Sequence, residues 1–284
     1  MYLDKVISRK FPESMRSYQA KDTILYALGV GLGAEPLNPH HLRFLYEDGL
    51  IAMPTMANVL GQSADWVREP QYGIDWRRLV HAEHRLTMHA AVPPEGSVVT
   101  RNSLVGVRDK GTDKGSIVHL RQEMMDAATG LPLATIIATL MLRGDGGCGD
   151  YGDAPSDLEA HPERAPDASI ETMVDEILPL IYRLSGDYNP LHIDPDVATI
   201  AGFSRPIFHG LGTMGMAAFA ILKTYCAFDP NRLRGMAVRF SRPVLPGDKV
   251  RFNFWRDKTD TVRFNAIVSA RDVVVLDRGT ATIS

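Results

Sequence analysis

Residues 250–255 (VRFNFW) alternate apolar and polar side chains, and after a polar turn at 257–260 the alternation resumes at Val262, Phe264, Ala266 and Val268. A period of two marks a strand with one buried face. Short strands over 273–276 and 280–284 complete an antiparallel run. The first half of the chain repeats this order, with a strand over 97–107, a turn at 110–115, and strands over 117–125 and 132–142. A similar corner precedes each run, VPPEGSV at 92–98 and VLPGDKV at 244–250, and an apolar helical stretch precedes each corner. Residues 209–226 (HGLGTMGMAAFAILKTYC) are rich in Ala and Met throughout, which predicts a helix buried on most sides. Their counterpart spans 53–60, after helical stretches at 21–30 and 41–46. One helix and one antiparallel meander, occurring twice, predict a duplicated α+β fold. Each sheet wraps around a buried helix, and the two sheets join side by side.

Between the two runs, residues 144–168 are rich in Gly, Pro, Asp and Ala without apolar periodicity, so they read as a linker. The stretch is acidic and lacks the Lys-Ser/Thr of a phosphate-cradling loop. The expected units are therefore 1–145, a linker at 146–168, and 169–284. A chain of 284 residues is long enough for two such units. With 45% hydrophobic and 23% charged residues it falls among soluble globular proteins. A formal net charge of −3 gives no global attraction to nucleic acid or anionic membrane, so a polyanionic ligand needs a local basic patch. No stretch is long and apolar enough to span a bilayer. The first residues have no secretory apolar core, Asp4 and Glu13 argue against a transit peptide, and residues 282–284 match no common peroxisomal address. Cys148 and Cys226 lie far apart, which suits a reduced compartment and excludes a disulfide scaffold. No Cys or His pair has zinc-site spacing, and the adjacent His40 and His41 read as surface residues. The cytoplasm is the expected location, and no metal is expected.

The chemistry concentrates in residues 184–192, LSGDYNPLH. Within six residues this nonapeptide holds a carboxylate (Asp187), an amide (Asn189) and an imidazole (His192), and Gly186 and Pro190 force the backbone to turn around them. A tight turn can aim Asp187 and His192 at one point, as a pair sharing a water molecule must be aimed. Shortly after, AGFSRPIFHGL at 201–211 delivers Gly210 to the start of the long apolar helix. First-turn N–H groups lack intrahelical partners and carry the positive end of the dipole, so an oxygen gaining negative charge is stabilised there. Gly210 reads either as this oxyanion donor or as a tight packing point, and His209 as a core or capping histidine. An acid/base pair facing an oxyanion site suits proton movement α to a thioester carbonyl while water adds or leaves at the β carbon.

Residues 182–198, YRLSGDYNPLHIDPDVA, closely resemble the signature of the MaoC-like, R-specific enoyl-CoA hydratases, also called hydratase 2. The resemblance continues through GFSRPIFHGL at 202–211 and RFSRPVLPGD at 239–248. The first half, with KDTILYALGVGLG at 21–33, is similar to the two-hot-dog members of that family. The resemblance implies a double hot-dog fold with the active site in the second half. It makes Asp187 and His192 the catalytic pair, gives Asn189 the orientation of the loop or the water, and has the Gly210 N–H bind the thioester oxygen. The implied reaction is syn addition of water to a trans-2-enoyl-CoA, giving a (3R)-hydroxyacyl-CoA, with no cofactor beyond the CoA of the substrate. Asp22 stands where Asp187 stands, but no histidine follows five residues later. The first half is thus expected to have lost the chemistry and to be free to open a cleft for a bulky acyl chain.

The CoA phosphates need cations, and Arg205, Arg232, Arg234 and Arg242 cluster around the site in sequence. Arg205 and Arg242 are the candidates for phosphate contact, against the alternative of solvated surface arginines. The partner is an acyl-CoA thioester rather than nucleic acid or membrane. A chain already containing a pseudo-dimer leaves monomer and homodimer both open. The alternative functions are dehydration of a (3R)-hydroxyacyl thioester on CoA or acyl carrier protein, which would use the same site, and non-catalytic acyl-CoA binding.

Overall fold

The computed structural model describes residues 1–61 and 65–284. Among them the strands are β1 (Ser14–Tyr18), β2 (Leu79–Met88), β3 (Gly96–Asp109), β4 (Ser116–Asp126), β5 (Pro132–Leu142), β6 (Tyr151–Gly152), β7 (Ala168–Met173), β8 (Leu233–Phe240), β9 (Lys249–Lys258), β10 (Thr261–Val268) and β11 (Val273–Ile283). The α-helices are α1 (Leu3–Ile7), α2 (Ala20–Gly29), α3 (Pro39–Leu42), α4 (Ala57–Leu60), α5 (Leu178–Tyr182), α6 (Pro195–Ile200) and α7 (Gly210–Tyr225).

The strands form one sheet in the order β1-β3-β4-β5-β2-β8-β11-β10-β9-β7, with β6 added beside β3. Outward from the β2–β8 seam the halves run β2, β5, β4, β3, β1 and β8, β11, β10, β9, β7, which is the same topology twice. This is a double hot-dog. On β9 and β10 the alternation works as the sequence reading expects. Val250, Phe252, Phe254, Val262, Phe264, Ala266 and Val268 are all fully buried in the main core, together with most of α7. Helix α7 can lie this deep because its glycines admit neighbours. A Cβ at Gly215 would come within 2.5 Å of Val30 Cγ1, and one at Gly212 within 2.5 Å of the Phe208 ring.

The halves differ in their central helix. Where α7 runs for 16 residues, the first half has only a 3₁₀ turn at Pro54–Met56 followed by the four-residue α4. The helix expected at 21–30 is α2, which packs on α5 at the interface of the halves with the Tyr26 and Tyr182 rings 5.9 Å apart. In the stretch expected to be helical at 41–46, the helix is α3, which starts earlier and ends at Leu42. His41 is buried rather than on the surface, and its Nδ1 accepts the Gly33 N–H at 3.1 Å.

Strands β2 and β8 escape the periodicity reading. β2 has a register slip between His81 and Glu83 that breaks its alternation. β8 carries Gly235, whose missing side chain leaves room for the Leu86 carbonyl 2.9 Å from where a Cβ would stand. Both are recognisable as strands only through each other, because strand preference is largely set by neighbours. The two short strands expected at 273–276 and 280–284 are one strand, β11, with a slip between Asp277 and Thr280 where Arg278 has φ of 51°.

The stretch read as a linker at 146–168 is tied down across the outer face of the sheet. Arg85 Nη2 donates to the Ser156 carbonyl at 2.5 Å and Arg278 Nη1 to that of Leu158 at 2.8 Å. His161 stacks on Trp255, whose indole N–H donates to the Arg164 carbonyl at 2.8 Å. The strap therefore touches β2 of one half and β9 and β11 of the other.

The close approach at Gly215 sets a prediction. Gly215→Ala forces Val30 and α7 apart, and overpacking of this kind costs about 1–3 kcal/mol. A thermal melt should show Tm lowered by roughly 3–9 °C; an unchanged Tm would mean that the helix contact relaxes freely.

Candidate active site

Chain direction changes sharply between α5 and α6, and each change has a local cause. Gly186 adopts φ of 130°, a backbone conformation L side chains rarely reach. Asn189 then caps a single 3₁₀ turn at Pro190–His192. Its side-chain oxygen accepts the Leu191 N–H at 3.2 Å and its carbonyl the His192 N–H at 3.1 Å. Asp187 Oδ1 accepts the Asn189 N–H at 3.3 Å. Asn189 thus shapes the loop that presents the other two. From the first half, Arg16 reaches across, donating to the Ser185 carbonyl at 3.0 Å and to the Val59 carbonyl at the end of α4.

The turn brings Asp187 and His192 together and adds His209, with a carboxylate oxygen and one nitrogen of each ring all within 4.8 Å of one another. His192 is 8% exposed and its Nδ1–H donates to the Ile207 carbonyl at 2.9 Å, leaving Nε2 bare and free to accept a proton. Burial lowers its pKa below the ordinary value, opposed by the neighbouring Asp187 carboxylate. His209 is 1% exposed, its Nε2–H donates to the Asp187 carbonyl at 3.2 Å, and its ring stacks on His192 with centroids 3.6 Å apart and planes 27° apart. Burial, reinforced by His192, pushes its pKa down to about 2. Both imidazoles are therefore neutral at neutral pH. A carboxylate and two imidazoles also form a metal-ligand set, but the stacking works against it. With the centroids 3.6 Å apart and the planes 27° from parallel, the two rings do not point at one spot, whereas a zinc ion sits about 2 Å from each ligating nitrogen and near its ring plane.

His209 is also the N-cap of α7, so the residue that clamps the Asp187 backbone directly precedes Gly210. Gly210 is exposed, the first residue of a 16-residue helix, with its first-turn N–H groups at the positive end of the dipole. A Cβ here would lie 3.1 Å from the Phe240 ring, so glycine both opens the turn to a ligand and lets Phe240 close over it. The segment before it is pinned by the Phe208 N–H donating to the Val244 carbonyl at 2.8 Å.

The arginines do not converge as their sequence clustering suggests. Arg232 and Arg242 flank opposite ends of β8, roughly 25 Å apart along an extended strand. Arg232 binds the Ser284 carbonyl, and Arg234 the His89 carbonyl. Arg205 is held by Glu176 through both terminal nitrogens. Arg242 donates to the Ser241 carbonyl and follows Phe240 by two residues, on the Gly210 side of the strand.

Asp22 does not occupy the place of Asp187. It closes a capping box at the start of α2, accepting the Gln19 N–H at 2.8 Å. Counted from Tyr26 and Tyr182, whose rings face each other, the sequence position of Asp187 is taken in the first half by Gly31 and that of His192 by Pro36. The first half thus lacks both groups. Several site residues were not assigned from sequence: Arg16, the clamping role of His209, and a pair on β2, the half-buried His81 and the buried His84. The last two lie three apart on a strand, a spacing that carries no signal until the bulge between them is seen.

Comparison with known proteins agrees with this architecture. The family model described as "MFE-2 hydratase 2 N-terminal domain" matches residues 17–144, and that described as "MaoC like domain" matches residues 157–278. The probable enoyl-CoA hydratase 2 of Dictyostelium discoideum is 35% identical over 98% of this chain and 95% of the relative. The enoyl-CoA hydratase ChsH3 of Mycobacterium tuberculosis is 34% identical over 98% and 96%. A crystal structure of a MaoC-like dehydratase from Phytophthora capsici superposes with a TM-score of 0.88 at 30% identity, covering 100% and 99%. The chain belongs to the MaoC-like hydratase 2 family. Among the described residues no helix is long and apolar enough to cross a membrane.

The buried neutral histidines set the acid behaviour of the fold. The folded pKa is about 4 for His81, about 2 for His209 and well below 6.5 for His84, all depressed by burial. The unfolded chain binds protons at these positions from about pH 6.5 downward while the folded one does not, so stability is full above that pH and falls as pH drops. Chemical denaturation at pH 7 and pH 5 should show this loss, and His209→Asn should flatten the slope by up to one proton. A slope unaffected by His209→Asn would contradict the neutral assignment.

Proposed function

We propose that this protein adds water to the double bond of a trans-2-enoyl-CoA and releases a (3R)-hydroxyacyl-CoA, using Asp187 and His192 as its acid/base pair. The observation that carries the reading is the bare Nε2 of His192, fixed by the Ile207 bond beside Asp187 and in front of the first turn of α7. A water held between carboxylate and imidazole loses a proton to the pair as its oxygen bonds to C3. Electrons from the C2–C3 double bond move toward the thioester carbonyl, whose oxygen gains charge at the Gly210 N–H. The pair then returns a proton to C2 and is unchanged overall. An acid/base group contributes about 10²–10⁴ in rate and an oxyanion donor about 10²–10³. The reaction asks for no metal or redox group.

The acyl chain is assigned to the first half. Beside Ser185 a pocket is lined by Leu25, Tyr26, Met56, Val59 and Leu60, with Arg16 and Asp22 at its edge. Met56, Val59 and Leu60 come to it from the 3₁₀ turn at Pro54–Met56 and from α4. Among the described residues Arg242, unlike Arg205, has no carboxylate in an ion pair with it, and it is the better candidate of the two for a CoA phosphate. The same site run in reverse dehydrates a 3-hydroxyacyl thioester. A Mycobacterium tuberculosis relative named 3-hydroxyacyl-thioester dehydratase Y, 36% identical over 91% of this chain and 90% of its own length, supports that second direction. Two free cysteines suit the cytoplasm as the compartment, while an Arabidopsis thaliana relative named enoyl-CoA hydratase 2, peroxisomal, favours the peroxisome; imaging a tagged chain decides between them.

The assay is the loss of enoyl absorbance with crotonyl-CoA and a long-chain 2-enoyl-CoA. Asp187→Asn and His192→Gln should each lower kcat by about 10²–10⁴, and the wild-type product should be 3R. A 3S product, or full turnover by either variant, would sink the reading. Met56→Trp should reduce kcat/KM for the long chain while sparing crotonyl-CoA; equal effects on both would remove the acyl chain from this pocket.

A further inference from the structure

The first half, which lacks the catalytic pair, nevertheless supplies side chains to the site. His81 and His84 lie three apart on β2, and on a regular strand they would face opposite ways. The register slip between His81 and Glu83 brings them together, with His84 Nδ1 3.3 Å from His81 Nε2. His84 Nε2 lies 3.0 Å from Asn58 Oδ1 on α4. The Asn58 amide nitrogen turns toward Met214 Sδ on α7, at 3.9 Å, which leaves its oxygen to face His84.

This end group orients the whole chain. An amide oxygen only accepts, so His84 donates from Nε2 and keeps Nδ1 bare; His81 then donates to it from its own Nε2. The other face of His81 packs on Phe240, with ring centroids 5.0 Å apart, and Phe240 is the ring that covers Gly210. His81 also lies within the field of Asp187, whose charge opposes the lowering of its pKa by burial. A charged His81 would stabilise the Asp187 carboxylate and make it a poorer proton acceptor. The groups around His81 are Asp187 from the catalytic loop, His84 and the Glu83 backbone from β2, and Phe240 from β8.

We propose that His81, anchored through His84 to Asn58, is a positioning residue supplied by the first half: it holds Phe240 over Gly210 and, with its Nε2–H donating to His84, leaves Asp187 to work with His192 alone. The proposal rests on the hydratase reading above and deepens it.

The test is ¹⁵N NMR of histidine-labelled full-length protein between pH 5 and pH 8, beside steady-state kinetics with crotonyl-CoA. In the wild type His81 should stay neutral, with its proton on Nε2, across that range. Asn58→Asp places a carboxylate at the end of the chain, so the two histidines should gain a proton. The kcat should fall about 10-fold or more, in line with the cost of small displacements in an active site, with KM changed by less than about 3-fold. A wild-type His81 that titrates near the ordinary value of about 6.5, or a protonated pair in Asn58→Asp with unchanged kcat, overturns the proposal. A pair that remains neutral in that variant overturns it as well. Should Asn58→Asp fail to fold, His81→Ala serves: kcat should fall about 10- to 100-fold at nearly constant KM, and His81→Gln, which keeps a neutral donor for His84, should recover most of the loss. A loss confined to KM, or a wild-type kcat in His81→Ala, refutes the role. Wild-type protein that binds crotonyl-CoA without hydrating it refutes the hydratase reading alone, because the NMR measurement reports on the histidine chain without turnover.

Discussion

Strands β2 and β8 pair antiparallel, Glu83 to Thr87 against Arg239 to Gly235, and the organisation of the active site depends on that ladder. It converts two small sheets into one, so that neither half exposes an open edge at the seam. It also places His81, from one half, against Phe240, from the other, and so connects the first half to the cover of Gly210. The Glu83–Arg239 ion pair lies directly across this ladder at 2.6 Å. With Arg239 partly exposed, that pair contributes little beside the backbone hydrogen bonds and the buried Leu86–Met236 pair three positions along.

A second constraint is the burial of imidazoles. Each histidine near the site has a nitrogen committed to a fixed acceptor or donor: His192 to Ile207, His209 to Asp187, and His84 to Asn58 and His81. Burial makes protonation costly, and a single committed donor selects one neutral tautomer. The result is a site in which proton acceptors are present at neutral pH without a free cation among the buried rings. Such an arrangement costs stability in acid, which the fold tolerates because α7 and the strands around it are densely packed.

Duplication explains the division of labour. The halves share strand order and the facing tyrosines Tyr26 and Tyr182, but α7 and the turn that carries Asp187 and His192 have no full counterpart. In the first half Met56, Val59 and Leu60 line a pocket next to Ser185, and the short helix α4 also carries Asn58. The first half therefore lines a pocket and presents a polar chain through one short segment, Met56 to Leu60.

Sequence by itself determined whatever depends on neighbours along the chain. The alternation at 250–268 specified two strands, the all-round apolar character of 209–226 specified a buried helix, and Gly186 with Asn189 and Pro190 specified the turn that presents Asp187 and His192. Tertiary structure alone decided what depends on partners far away. Helix α2 became an interface element because Tyr26 meets Tyr182, so that Asp22 caps a helix instead of mirroring Asp187. Arg232 and Arg242, close in sequence, separated because an extended strand lies between them. His209, His81 and Asn58 came to the site through a stack, a bulge and a helix end. The physical reason is that local hydrogen bonding and periodicity act over a few residues, whereas these side chains are placed by contacts further off: about twenty residues away for His209 with Asp187 and His192, and across the two halves for His81 with Phe240 and Asn58 with Met214.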